Sequence, residues 1–543
     1  MIKHIKKFSS LNTKKQPSLH EKDSAQKAKN VYNEDELENM QISSSLVENI
    51  DRIKNVVGSS TDIIFKNITL GRSEVRPAVI IYIDNLINSQ LVDSDVVRPL
   101  VLDAYTSGLN TSSEMIEQLQ AGNLITRGQS KKAKNFNELL IGVFTGEAGL
   151  LIEGINESYV INVKGYKYRN VTESEVEPVV RGPREAFIEV LSVNIGLIRR
   201  RLHTTNLVFE TFKIGTVGKT NVCMAFIRGI CPEGLSNEVR SRLTRIKIDG
   251  VLDSGYIEEL IQDSPYSIFP QMRNTEKPDV VASSLMEGRV AILVDSTPTV
   301  LIAPGEFFSL MQSAEDYYDR YIFSSMIRLL RYLAFIISFL LPALYIAVTT
   351  FHQEMIPVGL LESIISARTG VPFPVVIEAL GMVFAFEILH EAGVRMPRPI
   401  GQAVSIVGAL VIGQAAVQAN IVSPLMVIVV ALTAISKFSI AAYNIMLTVR
   451  ILRVFFMLIA AVLGMFGIMV GILFLMLHLF SLESFGKPYM SPLSPLRIGD
   501  LKDMAIRAPW WAMVRRPAYS TLDSKRMDSG QIPHSTEKKD RRT

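Results

Sequence analysis

The sequence has little of what covalent or redox chemistry needs. Its 543 residues include only two cysteines, Cys223 and Cys231. No apolar stretch follows the basic opening MIKHIKKFSSLNTKKQ, so no cleavable signal peptide is expected. The two thiols are therefore expected to be reduced and buried rather than bridged. G-x-S-x-G, H-E-x-x-H and clustered Cys/His spacings are all missing. An enzyme is not expected, nor is a metal or cofactor. A phosphate-cradling loop is missing too, because Gly215-Thr-Val-Gly218-Lys219-Thr220 sets its glycines too close together for G-x-x-x-x-G-K-[ST]. The net charge of +4 is modest for this length and gives no sign of a nucleic-acid partner.

What the sequence does have is uncharged length. From Ile400 to Ser436 no charged residue occurs, and a bilayer span needs only about 20 apolar residues. Within it Gly401, Ser405, Ala409 and Gly413 recur every fourth position, which stacks small side chains on one helix face. Such a ladder is a packing surface, most simply inside one subunit. The alternative is an inter-subunit or pore-lining face, toward which Gln414 and Gln418 lean.

The chain divides by composition. Residues 1–43 are polar and basic and read as a disordered tail. Residues 44–320 alternate short β-branched runs with amphipathic stretches, which predicts a mixed α/β domain, with room for two lobes and a break near 150–180. Strands are expected at 62–70, 78–86, 158–166, 205–215, 221–230 and within 288–304. Helices are expected at 44–57, 94–106, 136–144, 183–201, 234–245, 253–262 and 278–286. The densest polar motif is Glu177-Pro-Val-Val-Arg181-Gly-Pro183-Arg184-Glu185. Pro183 suits the first turn of a helix. Arg181 and Arg184 there are expected to pair with Glu177, Glu185 and Glu189, with an anion site as the alternative.

A polytopic α-helical membrane domain is expected over 321–482, with spans near 332–351, 400–420, 423–446 and 454–480. Pro342 falls inside the first span. Residues 372–392 are apolar but hold Glu378 and Glu387, with His390 and Glu391 close behind, and read as a partial or re-entrant helix. A carboxylate at membrane depth is a functional candidate unless it is solvated or paired, here with Arg395 or Arg398. In the last span Gly464, Gly467 and Gly471 repeat the small-residue logic. Residues 483–543 are basic and carry Trp510-Trp511, which suits a cytoplasmic tail at the inner-leaflet lipid surface. Both ends inside requires an even number of crossings.

Several stretches together carry a resemblance. EPVVRGPREAF at 177–187, NIGLIRRRL at 194–202, PDVVASSLMEGRVAILVDSTPTVLIAP at 278–304, EDYYDRY at 315–321 and FEILHEAGVRMPRPIGQAVSIVGALVIGQAAVQA at 386–419 are similar to the A subunit of the GerA-type spore germinant receptors. The resemblance covers about residues 45–510. It implies a two-lobed cytoplasmic α/β domain followed by a membrane domain in the spore inner membrane. It also implies a transporter-like B subunit and a lipoprotein C subunit as partners, and assembly of a homo-oligomer into a nutrient-gated cation channel. Stage-V sporulation relatives share this architecture. Candidate lining residues are then Glu378, Glu387 and Gln414, since carboxylate rings favour cations. A proton-coupled transporter using Glu387 and His390, or a non-conducting scaffold, are the alternatives.

Overall fold

The structure is a computed structural model that describes residues 32, 34–71, 74–106, 111–120, 130–165, 177–396, 411–517 and 521–531. They form two compact units. The first comprises Met1–Arg169, Ser192–Thr211 and Cys223–Gly229, and the second the remainder. Calls on Gly401, Ser405 and Ala409, and on most of the 1–43 tail, lie outside the described residues.

The first unit is built on a sheet of β1 (Ile63–Leu70), β2 (Arg76–Ile83), β3 (Ser130–Ala133), β4 (Ala148–Ile152) and β5 (Ser158–Ile161), in the order β1-β2-β4-β5-β3. All its pairings are antiparallel, with Ile63 opposite Ile83 and Ile80 opposite Leu150. β2 is apolar on both faces because both are covered. Val79, Ile81 and Ile83 face α1 (Leu46–Val57) and α2 (Phe136–Phe144), while Ala78, Ile80 and Tyr82 pack with Val96 and Leu100. α1 starts where Ser45 accepts from Glu48 N–H at 3.5 Å, and it stops at Gly58, whose φ is +70°. The expected helix at 94–106 is largely wound as π-helical turns, Val92–Val97 and Pro99–Asp103.

One buried charge fixes α3 (Leu191–Arg199) within this unit. Arg199 donates from Nε to Asp62 Oδ2 at 2.7 Å and from Nη2 to Asp62 Oδ1 at 3.1 Å, and its guanidinium lies 4.9 Å from the rings of Phe144 and Phe209. The helix expected from Pro183 begins only at Leu191. The intervening backbone is committed elsewhere: Phe187 N–H donates to Glu276 O at 2.7 Å, and Glu189 O accepts from Ser296 N–H at 2.8 Å.

A second sheet runs through β6 (Leu207–Ile214), β7 (Thr220–Ile227), β8 (Arg273–Thr275), β9 (Val290–Val294) and β10 (Val300–Ala303), in the order β6-β7-β9-β10-β8. This is the strand permutation of the first sheet. Each sheet also has a nine-residue helix between its third and fourth strands, α2 and later α6 (Pro278–Met286). The fold is thus a duplication. The turn end of the β6–β7 hairpin, Phe212–Val222, belongs to the second unit, where Asn221 O accepts from Asp295 N–H at 3.0 Å. Gly215 to Lys219 form this hairpin turn, which explains the glycine spacing. α4 (Glu233–Arg245) and α5 (Ser254–Ile261) complete the α/β part of the second unit. Cys223 and Cys231 are free and buried, and burial pushes the Cys231 thiol up to about 12.

Beyond Arg320 the second unit becomes helical: α7 (Tyr321–Phe351), α8 (Val358–Arg368), α9 (Val375–Arg395), α10 (Pro424–Phe438) and α11 (Tyr443–Ser481). Among the described residues α7 and α11 are long and apolar enough to cross a membrane. Pro342 is buried inside the continuous α7. The expected span 423–446 is corrected, because α10 stops at Phe438 and α11 begins at Tyr443, after Ala442 leaves the helical region at ψ 125°.

The expected span 454–480 is also corrected. Gly464 has φ +59° and ψ −138° and breaks α11 into arms 443–463 and 465–481. The arms fold back on each other. A Cβ on Gly471 would sit 2.9 Å from Phe456 Cε1, a separation that a straight helix of that many residues would stretch to about 22 Å. One on Gly467 would meet Ile459 Cγ2 at 2.6 Å. Gly464 is therefore the tip of a hairpin rather than a step in a ladder, and a Cβ added there would lie 3.0 Å from Phe351 and His352.

Residues 483–517 and 521–531 fold back on the α/β part of the same unit: Tyr489 is buried in the common core, Leu522 N–H donates to Ile230 O at 2.8 Å, and Arg526 reaches Glu287 at 2.6 Å. The Trp510 indole N–H donates to Tyr317 O at 3.2 Å.

Gly464→Ala should destabilise the chain by about 1–3 kcal/mol from backbone strain alone, with the Phe351 and His352 contacts adding to it. Thermal unfolding of the full chain in detergent reads this. An unchanged melting temperature would contradict the hairpin.

Candidate functional site

A charge placed among apolar helices must be paired or hydrated. At the base of α7 the pairing is dense. Arg328 Nε and Arg331 Nη1 each donate to Asp316 Oδ2 at 2.9 Å, and Arg331 Nη2 donates to Asp316 Oδ1 at 3.1 Å. Arg328 Nη1 also donates to Asp503 Oδ1 at 2.8 Å, so the C-terminal segment shares the clamp. These arginines are buried, not free positive charges at a membrane surface. Burial alone would raise the Asp316 carboxyl, but the hydrogen bonds and charges of Arg331 and Arg328 outweigh it and hold it below the ordinary 3.8.

Deeper along the helices, α9 brings Glu387 to three cations. Arg453 Nη1 lies at 3.2 Å and Lys437 Nζ at 3.4 Å from Oε1, and Arg450 Nε lies at 3.3 Å from Oε2. Lys437 and Arg453 are 0% and 2% exposed at the side chain. Arg453 Nε further donates to Ser338 O of α7 at 2.9 Å. Arg450 Nη2 is 3.0 Å from His390 Nδ1. A guanidinium only donates, so that ring nitrogen accepts and carries no proton. Glu391 instead pairs with Arg395 at 2.8 Å on the exposed side.

Glu378 has a separate role. It is buried, and its Oε1 accepts from Ser423 N–H at 2.6 Å and Ser423 Oγ at 2.5 Å, while Ser423 Oγ accepts from Met426 N–H at 3.4 Å. The carboxylate therefore sits at the N-terminus of α10, where a negative charge is favoured. Two expected pore carboxylates are thus committed inside one copy, Glu378 to a helix cap and Glu387 to a cation cluster. Gln414 and Gln418 are exposed, whereas Gly413 faces inward with its Cα hydrogen toward Val427, 3.5 Å from where a Cβ would lie.

The motif at 177–185 engages residues beyond itself. Glu177 Oε2 accepts from Thr275 Oγ1 at 2.6 Å and from Glu276 N–H at 3.4 Å, and burial raises its carboxyl while Arg273 and Thr275 pull it down. Arg181 is exposed and pairs with Asp319 at 3.5 Å rather than within the motif. Arg184 and Glu185 also have partners. Sequence reasoning missed Arg450, Arg453 and Lys437 as a set, although their spacing of 13 and 3 residues places the two arginines on one face of α11. Among the described residues no group of His, Cys, Asp and Glu is placed to hold a metal ion.

A duplicated α/β fold joined to long apolar helices with ion pairs buried among them defines a membrane-associated protein. The chain belongs to the Bacillus/Clostridium GerA spore germination protein family, whose profile matches residues 51–519. It is 45% identical over 493 residues to spore germination protein KA of Bacillus subtilis (strain 168), covering 91% of this chain and 90% of that one. It is 40% identical over 478 residues to spore germination protein B1 of the same organism, covering 88% and 98%. To spore germination protein GerLA of Bacillus cereus it is 38% identical over 486 residues, covering 89% and 98%. Among solved structures it is similar to the N-terminal domain of the A subunit of the Bacillus megaterium spore germinant receptor GerK3. That match has 34% identity and a TM-score of 0.40, covering 49% of this chain and 97% of that chain.

Glu387→Gln leaves buried cations without their counter-charge and should cost about 3–5 kcal/mol, read as a lowered melting temperature. No change would mean that the cations are hydrated. For Asp316, whose folded pKa is depressed, the ionised carboxylate stabilises the fold above the ordinary value, and that contribution disappears as pH falls through the folded pKa. The stability gap between wild type and Asp316→Asn should therefore be constant above about pH 5 and close below about pH 4. A gap that widens on acidification would contradict the clamp.

Proposed function

We propose that this chain is the A subunit of a nutrient germinant receptor of the spore inner membrane, in which several copies form a gated cation path that starts germination. A transporter-like B subunit and a lipoprotein C subunit are its partners in this reading. The observation that carries it is the pair Gln414 and Gln418, exposed on an otherwise apolar stretch whose small residue Gly413 faces its own subunit. In a bilayer, side-chain amides on an outward face are unfavourable unless they meet water or another copy.

The contacts support an even number of crossings. The two ends of the α11 hairpin are tied to the α/β part, Thr448 Oγ1 donating to Ile268 O at 2.6 Å and Ser267 Oγ lying 3.0 Å from His478 Nε2. α9 and α10 run parallel, since Glu378 meets Ser423 and nine residues later Glu387 meets Lys437. The proposed runs are then α7, α9, the span expected near 400–420, α10 and the two arms of α11, with α9 (Val375–Arg395) taken as a full crossing where a partial or re-entrant helix was expected. N- and C-termini fall on the cytoplasmic side, and the basic tail stays there.

In this mechanism the lumen is lined by the Gln414 and Gln418 face, with Glu378, Glu387, His390 and Glu391 shaping the helices behind it. Partner-bound nutrient opens the path only by binding the open assembly more tightly. A proton-coupled transporter at Glu387 and His390 is less favoured, because both groups are engaged by Arg450. The test is ion flux through the assembled receptor with Gln414→Leu and Gln418→Leu together. A fall of about tenfold is expected if the amides replace part of an ion's hydration. Unchanged flux would remove this face from the path.

A further inference from the structure

At the end of α7 farthest from Asp316, the chain turns through Gln353–Met355 into α8. Between these elements lies a cavity of about 370 Å³, with Ile356, Leu361, Ile364 and Arg368 in its wall. That volume falls within the usual range of about 300–1,000 Å³ for small-molecule sites.

Each of the polar side chains around it other than Arg368 makes a hydrogen bond to backbone. Thr349 Oγ1 donates to Tyr345 O at 2.6 Å, Thr369 Oγ1 to Ile365 O at 3.0 Å, and Gln353 Nε2 to Thr349 O at 2.9 Å. Arg368 Nε is buried without a hydrogen-bond partner. Its Nη2 comes no closer than 3.9 Å to Glu378 Oε2. That carboxylate is already held by Ser423 through its other oxygen. A guanidinium offers five donors in a planar fork that matches an oxyanion. Here the guanidinium is part of a cavity wall that otherwise combines Ile356, Leu361, Ile364 and Ile365 with Thr349, Gln353 and Thr369, and Val358 and Leu360 of α8 are exposed.

We propose that this cavity binds a carboxylate or phosphate oxyanion carried on an apolar body, with Arg368 holding the head and Ile356, Leu361 and Ile364 holding the body. The same chemistry has two sources: a soluble amphipathic carboxylate, or the head of an anionic phospholipid. Binding completes the donors of Arg368 and draws it from Glu378. Occupancy therefore bears on the N-terminus of α10, which Glu378 caps. The binding proposal does not rest on the Gln414 and Gln418 face, so each can fail without the other.

The test uses the full chain in nanodiscs of phosphatidylcholine. One arm titrates 4-methylpentanoate by calorimetry. The other adds phosphatidylglycerol and counts retained lipid by native mass spectrometry. Saturable binding is expected in one arm, and which one identifies the source. Arg368→Gln should weaken it about tenfold or more, as loss of hydrogen bonds to a charged group does, and Arg368→Lys should weaken it less. Arg395→Gln, at an exposed pair with Glu391, should leave it unchanged. Leu361→Trp, which fills the cavity and leaves the guanidinium in place, should abolish binding and serves if Arg368→Gln fails to fold. Absence of saturable binding in both arms, or binding by Arg368→Gln or Leu361→Trp at wild-type strength, overturns the proposal.

Discussion

One carboxylate sets the geometry of the helical part. Asp316 receives donors from both Arg328 and Arg331, one turn apart on the first long helix, and so fixes the rotation and height of α7 against the α/β part from which it emerges. Two guanidinium groups withdrawn from water would be prohibitive without it. Asp503 adds a second acceptor for Arg328, and Arg507 Nη1 donates to Asp319 O at 3.0 Å. The C-terminal segment is therefore a strap around the root of α7, held there by Asp503 and Arg507.

The same rule explains the interior of the helical part. α9 carries two carboxylates and each is met by α10, Glu378 at its start and Glu387 near its end. Along α9 these lie about 13.5 Å apart, and along α10 Ser423 and Lys437 lie about 21 Å apart. The difference is close to the length of a lysine side chain, so Lys437 reaches back along its own helix to its partner, as snorkelling side chains do. Both carboxylates thereby act as pins between parallel helices. Ala460, Gly467 and Gly471 supply the close packing that apolar helices need where no charge is present.

Much of the α/β part was legible in the residues. The 62–70 and 205–215 strands, and the 136–144 and 278–286 helices, stand within a residue or two of expectation, because their apolar periodicity and bounding caps agree. Ser130–Ala133 was missed because SKKA has one apolar residue, and Ala148–Ile152 because it follows an apolar helix with only a short turn between. The duplication was invisible for a related reason: strand order is a property of pairing, and the two sheets share it without an obvious repeat in sequence. Within the site, Glu378, Glu387 and His390 could be singled out by charge alone. Their partners could not, since Ser423, Lys437 and Arg453 lie 45 to 66 residues away along the chain. Gly464 looked like its neighbours because a left-handed φ leaves no mark beyond the glycine itself.

In the proposed channel the charge at Glu387 also bears on where an ion route can run. Three cations surround one carboxylate, so the cluster is positive by two charges with His390 neutral. A monovalent cation about 4 Å from one uncompensated charge meets roughly 4 kcal/mol of repulsion at an effective dielectric of 20. Two such charges raise that further, far beyond what a conducting site tolerates. A cation path past this level must therefore stay on the other side of α9 and α10, away from Arg453 and Lys437. Of the residues the sequence singled out, Gln414 and Gln418 are uncharged and exposed, so the proposed lining is one of neutral amides rather than a ring of acids.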